Sequence, residues 1–318
     1  MTPTASKKFV TTNKSVSETS VRSLGLKHAF LIIAHRCDET LSALIELLDD
    51  SRNDIYLHMD AKCADFCVEK YASRIEHAGF FAIARRSVVW GAYSQIAVEL
   101  DLLKAATAHD RYSYYHLISG QDLPIQSQDT LHNFFDGCGG RQFIRIDQTD
   151  DDFTYRLDGH FLWNRFGRRK NQSVLRWVDY QVSKLNQVVR GHQFGMAIKK
   201  GDNWFSITDE LARYVVQKEP WIERVFHNSI CGDELFLQTL VWENWPKFKL
   251  WRNPGENEAD ACMRLINWNG GESPQVFTVN DADIILNSRL MFARKFDCEV
   301  DDKIVRLVNS KIADDTYA

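Results

Sequence analysis

Near the end of the chain, Met291-Phe292-Ala293-Arg294-Lys295-Phe296-Asp297 sets an adjacent arginine and lysine between two aromatics. Paired fixed cations suit a diphosphate, because guanidinium offers a fork of donors and ammonium a compact charge. Phe292 and Phe296 would anchor the segment against a core, so that Arg294 and Lys295 face a cleft. Taken alone, such a dipeptide reads equally well as a surface pair whose aliphatic stems cover apolar neighbours. The elements that would position it decide between the two readings.

Those elements alternate. The apolar run His28–His35 (HAFLIIAH) predicts a buried strand. A helix follows from Asp38-Glu39-Thr40 to Leu48, with Leu41, Leu44, Ile45 and Leu48 on one face. Asp54–His58 and Phe80–Ala84 read as strands, Ala92–Ala108 as an amphipathic helix, Ser113–Ile118 as a strand, Ser119–Pro124 as a turn and Gln142–Ile146 as a fifth strand. The second half is less regular. A basic, aromatic stretch, Phe161–Trp177, opens a helix to about Val189. Trp204–Ile207 and Met263–Ile266 follow as strands, and Asp209–Gln217, Gly232–Trp242 and Asp281–Leu286 as helices, the last just before the cation pair. Strands alternating with helices predict an α/β fold with a central, mainly parallel sheet flanked by helices. Ligands of such sheets bind beyond the carboxyl ends of the strands. His35 and Arg36, Asp60 and Lys62, and Gln121 and Asp122 stand at those ends.

At 318 residues and 44% hydrophobic content, the chain can fill one large core. Its net charge of −4 argues against a general nucleic-acid binder. No run reaches the roughly 18 apolar residues of a membrane span. Residues 1–27 are rich in Ser, Thr and Lys, lack the apolar centre of a secretory signal, and read as disordered. Residues 28–318 read as a single domain, with a nucleotide-binding half to about 147 and an acceptor half after it. The seven scattered cysteines show no zinc spacing and read as reduced thiols of a cytoplasmic protein.

Seven segments, in order, carry a family resemblance: His58-Met59-Asp60-Ala61-Lys62; Val89-Trp90-Gly91-Ala92-Tyr93-Ser94; Ser119-Gly120-Gln121-Asp122-Leu123-Pro124-Ile125; Gly201-Asp202-Asn203-Trp204-Phe205; Gly232-Asp233-Glu234-Leu235-Phe236; Arg264-Leu265-Ile266-Asn267-Trp268; and Phe292-Ala293-Arg294-Lys295-Phe296. The chain resembles the Core-2/I-branching β-1,6-N-acetylglucosaminyltransferase family, which includes the peptide O-xylosyltransferases, over about residues 28–300. The resemblance implies a GT-A-type nucleotide-sugar transferase fold. It implies inverting transfer from a UDP-sugar to a hydroxyl, without the metal ion most GT-A enzymes need and with no other cofactor. Animal members carry a membrane anchor and many disulfides. This chain resembles a soluble, bacterial-type member that acts on a glycan or glycolipid, with peripheral contact to the inner membrane face as its one membrane role.

Inverting transfer needs a base, alignment and a stabilised leaving group. By the resemblance, Glu234 matches the acidic residue of the family motif and is the expected base, with Asp233 as the helix cap; the plainer reading makes Glu234 a macrodipole acid. Arg294 and Lys295 would meet the diphosphate. Arg264 would add a third cation or else form a structural ion pair. At the nucleotide, Asp60 and Lys62 would meet the uridine, Trp90 would stack on the base or sit in the core, and His35 reads foremost as a satisfied strand-end histidine. Asp122 would hold a sugar hydroxyl or cap the turn before Pro124. Trp204 suits an apolar sugar face, and Asp202 is a reserve base, although the xylosyltransferase-like acid aligns with Asn203.

Two further clusters compete for roles. Asp147, Asp150, Asp151 and Asp152 could hold a divalent cation against a diphosphate, but they follow the wrong strand and read as a solvated loop or an acceptor contact. Arg165, Arg168, Arg169 and Lys170, with Trp163 and Phe166, could dock an anionic acceptor or form a solvated face. The donor is expected to be UDP-N-acetylglucosamine. UDP-xylose or UDP-glucose transfer, or a catalytically silent carbohydrate-binding module, are the alternatives.

Overall fold

The computed structural model describes residues 25–148, 151–157 and 196–316, with breaks at 246, 255, 257, 270 and 272 and isolated positions between 174 and 185. The expected Phe161–Val189 helix, the basic loop at Arg165–Lys170, Asp150 and residues 1–24 lie outside the described residues, or almost wholly so. Gly25–Lys27 join the fold: Ser113 N donates to the Lys27 carbonyl (2.8 Å) and Lys27 Nζ reaches Asp54 (2.9 Å).

The strands are β1 (His28–Ala34), β2 (Asn53–Met59), β3 (Gly79–Ala82), β4 (Tyr114–Ser119), β5 (Asp122–Pro124), β6 (Phe143–Ile144), β7 (Phe205–Thr208), β8 (Arg264–Ile266) and β9 (Phe292–Arg294). Six form one sheet in the order β3-β2-β1-β4-β7-β6. β1, β2, β3 and β4 pair in parallel, whereas β7 runs antiparallel to both β4 and β6. β1 and β2 are buried on both faces, and this is why each reads as an unbroken apolar run.

Alternation along β1 divides the core. Ala29 and Leu31 face a cluster with Leu100 and Leu103 of helix α3 (Tyr93–His109), which follows the short helix α2 (Val68–Ala72) in the chain. Phe30 and Ile32 face another with Leu41, Leu44 and Ile45 of helix α1 (Glu39–Leu47). Asp38 caps α1 by accepting from Leu41 N (3.0 Å). A C-terminal helix, Asp302–Thr316, places Ile304, Val305, Val308 and Ile312 in that second cluster and packs on α1.

Two expectations need correction. The Ser119–Pro124 segment is not only a turn: it contains β5, which pairs with β9 and, through it, β8 in a second, three-stranded sheet. The cation pair therefore begins on a strand. The Gly232–Trp242 helix is divided into a 3-10 turn, Gly232–Glu234, and a helix, Phe236–Glu243, with no side-chain cap. Asp233 is thus not the cap. Among the described residues no helix is long and apolar enough to cross a membrane.

Candidate active site

One edge of the candidate site is built where β1 and β2 end. Asp60 N donates to the Ala34 carbonyl (2.8 Å), which fixes the two strand-end loops side by side. The Asp60 carboxylate is buried, accepts from Lys62 N (2.9 Å), and lies 3.3 Å from Lys62 Nζ. Lys62 Nζ also donates to the Val88 carbonyl. His35 is open to solvent on one side; desolvation by the protein, then Arg36 and Lys295, hold its pKa below the ordinary value. Trp90 is 54% exposed, so it is no core residue.

The cation edge comes from the second sheet. Asp122 stands opposite Arg294 in the β5–β9 register. Its buried carboxylate accepts from Ser119 N (2.8 Å) and Ser119 Oγ (2.7 Å) and lies 3.7 Å from Arg294 Nε. On its other side, Arg294 stacks over Trp204, 4.1 Å from the ring centroid, a cation–π contact. Held this way, its Nε and Nη1 are buried and donate no hydrogen bond among the described residues. Lys295 follows, its pKa lowered by desolvation and then by Arg294 and Arg36. Phe292 and Phe296, the expected anchors, are fully buried.

Arg264 stands apart. Its guanidinium is wholly buried, with Nη1 donating to Ser206 Oγ (3.0 Å) and Nη2 to the carbonyls of Phe205 (2.8 Å) and Leu117 (3.2 Å). Burial lowers its pKa to about 10. These contacts fasten β8 to β4 and β7, and neither amino group is directed to the strand-end ring.

The Gly232–Glu234 turn follows from local backbone constraints. Cys231 adopts a left-handed conformation (φ 48°, ψ 46°), and a Cβ on Gly232 would lie 2.1 Å from Ser229 Oγ. The turn presents Glu234, whose Oε2 accepts from Arg156 Nη1 (2.9 Å) and whose side chain is 35% exposed. The Glu234 carbonyl accepts from Gly201 N (3.0 Å), and this contact joins the turn to the Gly201–Trp204 loop. In that loop Asp202 is paired with Arg145 (3.2 Å) and approached by Cys262 Sγ (3.6 Å), and burial raises its pKa.

Asp233 and Glu99 are functional candidates that sequence reasoning missed. Asp233 is buried and accepts from Gln95 Nε2 (3.0 Å); burial, then the Glu234 charge, push its pKa up to about 7. Glu99 lies fully buried on α3, its pKa raised well above the ordinary value by burial and then by Asp233. The signal was present: Ile96, Glu99, Leu100 and Leu103 share one helical face, and an acid inside an apolar stripe invites a partner.

Read around the strand ends, these contacts close a ring. Asp60 meets Lys62, Lys62 meets Val88, and the Gly91 carbonyl beyond Trp90 accepts from Cys231 N (2.7 Å). The turn leads to Glu234, Gly201 and Trp204, then to Arg294, Lys295 and back to His35. All the expected site residues except Arg264 are on or against this ring. The acidic stretch is engaged elsewhere: Asp147 is paired with Arg145 (3.0 Å) and Lys200 (3.1 Å), and Asp152 caps the 3-10 turn Phe153–Arg156 through Thr154 N (2.9 Å).

The apo structure of mouse xyloside xylosyltransferase 1 is similar over 87% of this chain and 99% of that one, at 10% identity and a TM-score of 0.36. The family model described as Core-2/I-Branching enzyme matches residues 28–289, ending before Arg294. It covers most of the chain, including β1 to β8 and the Gly232–Glu234 turn, and on that match the protein belongs to the Core-2/I-branching family of glycosyltransferases.

Proposed function

We propose that the protein transfers a sugar, N-acetylglucosamine in β linkage, from a UDP-sugar to a hydroxyl of a glycan or glycolipid acceptor, by inverting displacement and without a metal ion. The observation that supports this reading is the ring of contacts, which brings Asp60, Glu234, Arg294 and Lys295 together beyond the strand ends. Asp60 accepts from uracil N3–H or a ribose hydroxyl, with Trp90 as a stacking face beside it. Arg294, with donors left over from Asp122 and Trp204, and Lys295 meet the diphosphate. Both gain as charge develops on the leaving group, which is the condition for accelerating the chemical step.

Across the ring, Glu234 takes the acceptor hydroxyl's proton while that oxygen attacks the anomeric carbon and the bond to UDP breaks. Arg156 fixes the carboxylate's orientation before the acceptor arrives. Trp204 offers its outer edge to an apolar sugar face. The reaction takes place in the cytoplasm, where nucleotide sugars are supplied.

The test is release of UDP from a panel of UDP-sugars, with and without EDTA. Turnover with UDP-N-acetylglucosamine that persists in EDTA is expected. A preference for UDP-xylose or UDP-glucose would replace the donor, and activity restored only by Mn²⁺ would overturn the metal-free mechanism. Failure to release UDP from any donor, despite UDP binding, would favour a silent binding module.

A further inference from the structure

At the amino end of the sheet, opposite the ring, a second constellation has no part in glycosyl transfer. His28 opens β1, and His132 and Asp136 lie four residues apart, on one face, in helix α4 (Gln128–Gly137). Each offers one ligand atom, and these atoms all lie within 4.8 Å of one another. Both rings are buried, whereas the Asp136 side chain is 44% exposed and leaves a way in from solvent. We propose that His28, His132 and Asp136 form a binding site for a borderline transition-metal dication, with zinc(II) as the reference ion, about 20 Å along β1 from the donor site.

The surrounding hydrogen bonds fix which atoms are offered. Asn53 Nδ2 donates to the Leu48 carbonyl (3.0 Å) and to Gln128 Oε1 (2.8 Å), so Asn53 Oδ1 is the acceptor facing His132 Nε2 (2.9 Å). His132 therefore carries its proton on Nε2 and its lone pair on Nδ1. His28 Nε2 lies 3.2 Å from Asp136 Oδ1, close to the roughly 3.3 Å between two ligands of a tetrahedral ion with ~2.0–2.1 Å bonds. The three ligand atoms lie within 4.8 Å of one another, up to about 1.5 Å more than that spacing, so the cluster closes up on the ion, with the half-exposed Asp136 as its most movable member.

Behind His28 is the outer shell that metal-bound histidines use. His28 Nδ1 is 3.0 Å from His116 Nε2, and His116 Nδ1 is 2.8 Å from Ser206 Oγ, which accepts from Arg264. Without a metal, the carboxylate of Asp136 takes the His28 Nε2 proton as a hydrogen bond, so His116 donates to His28 and Ser206 donates to His116. On metal binding both rings change tautomer together. His28 Nδ1–H then donates to His116 Nε2, His116 Nδ1–H donates to Ser206 Oγ, and the hydroxyl proton turns away. No proton is lost from the chain. Arg52 faces the cluster as a nearby cation, but it is paired with Asp50 (2.7 Å) and Asp129 (2.8 Å).

The test uses the full chain, freed of metal with EDTA, dialysed and treated with iodoacetamide to block competing thiols. Zinc chloride at pH 7.5 should bind at one site by calorimetry and raise Tm, since an ion that binds only the folded state stabilises it. Magnesium, which prefers oxygen ligands, should not. Asp136→Asn should weaken zinc binding about tenfold or more, given that losing even an outer-shell partner costs ~10–100-fold. His132→Gln should do the same. Cobalt(II) should give the visible bands of a tetrahedral nitrogen–oxygen site in the wild type, which keeps the test open should a variant misfold. Absence of zinc-dependent heat and of a Tm rise would overturn the proposal, and so would equal zinc affinity in the wild type and both variants. Neither result bears on glycosyl transfer, which the UDP-release assay reads separately.

Discussion

At the carboxyl ends of β1 and β2, His35, Asp60 and Lys62 stand on loops, and Arg294 beyond them is held by Asp122 and Trp204 with donors to spare. At the amino ends of the same strands, His28 and Asn53 are completely buried and each bonds to another side chain. The chemistry available to both ends is similar; its bookkeeping is not. A polar residue inside a strand must satisfy itself within the core, because an unmet group there costs about 1–3 kcal/mol. A polar residue just past the strand keeps part of its capacity for a ligand. Arg264 and Arg294, on adjacent strands, show the difference within a single sheet: one has its amino groups on Ser206 and on backbone carbonyls, the other keeps Nε and Nη1 without a hydrogen-bond partner among the described residues.

The largest effect should come from Glu234→Gln, which keeps the shape of the turn but removes the proposed base. Turnover should fall about 10²–10⁴-fold with UDP affinity near wild type. Normal turnover would transfer the role of base to Asp202 or Asp233. Next in size is Arg264→Met, which takes donors from the carbonyls of Leu117 and Phe205. Denaturant titration should show a loss of about 2–5 kcal/mol, and a fully stable variant that fails to bind UDP would place Arg264 on the donor side after all.

Lys295→Ala should reverse that pattern. It should weaken UDP binding and turnover by about 1.5–3 kcal/mol, the usual range for a bond to a charged group, with Tm little changed. Loss of stability without loss of UDP binding would show that the ring's cations are structural. The smallest effect concerns the carboxyl pair beneath the turn. Glu99 and Asp233 hold more protons folded than unfolded, because both pKa values are raised. Their contribution is therefore complete below the unfolded pKa near 4 and is lost as pH rises toward about 7 for Asp233. Glu99→Gln should flatten the stability-versus-pH curve over that range by up to about 1.4 kcal/mol per pH unit. An unchanged slope would mean that Glu99 does not hold its proton.

Much of this was legible in the sequence. β1, β2 and β4 are apolar runs ended by polar residues, and Asp209–Gln217 matches its predicted helix end for end. The polar strand ends marked His35, Asp60 and Asp122 before any contact was known. What the sequence concealed depends on long-range pairing. Met263–Ile266 reads as a strand and β8 lies within it, whereas β5 and β9 have three residues each, too few for a periodic signal, and become strands only by finding one another. β7 is antiparallel because of how it meets β4, which nothing in Phe205–Thr208 encodes. The helix at Asp302–Thr316 is a different case: its apolar spacing was there to be read and was missed. Asp233 looked like a cap because Gly-Asp-Glu before an apolar run resembles a helix start; only burial distinguishes it.

The pairing of Asp122 with Arg294 also has a temporal consequence. The two residues are separated by about 170 positions of chain. β1 to β4 can begin to assemble once residue 119 has left the ribosome, but Arg294 and Lys295 have not yet been made. Closing so long a loop carries an entropy cost that grows slowly with length, and contacts of this separation form late and slowly. Throughout synthesis, Asp122 and the edge of β5 wait without their partner strand. The nascent sheet can exist before the second, smaller sheet does, and Arg294 and Lys295 join it only after β9 has emerged.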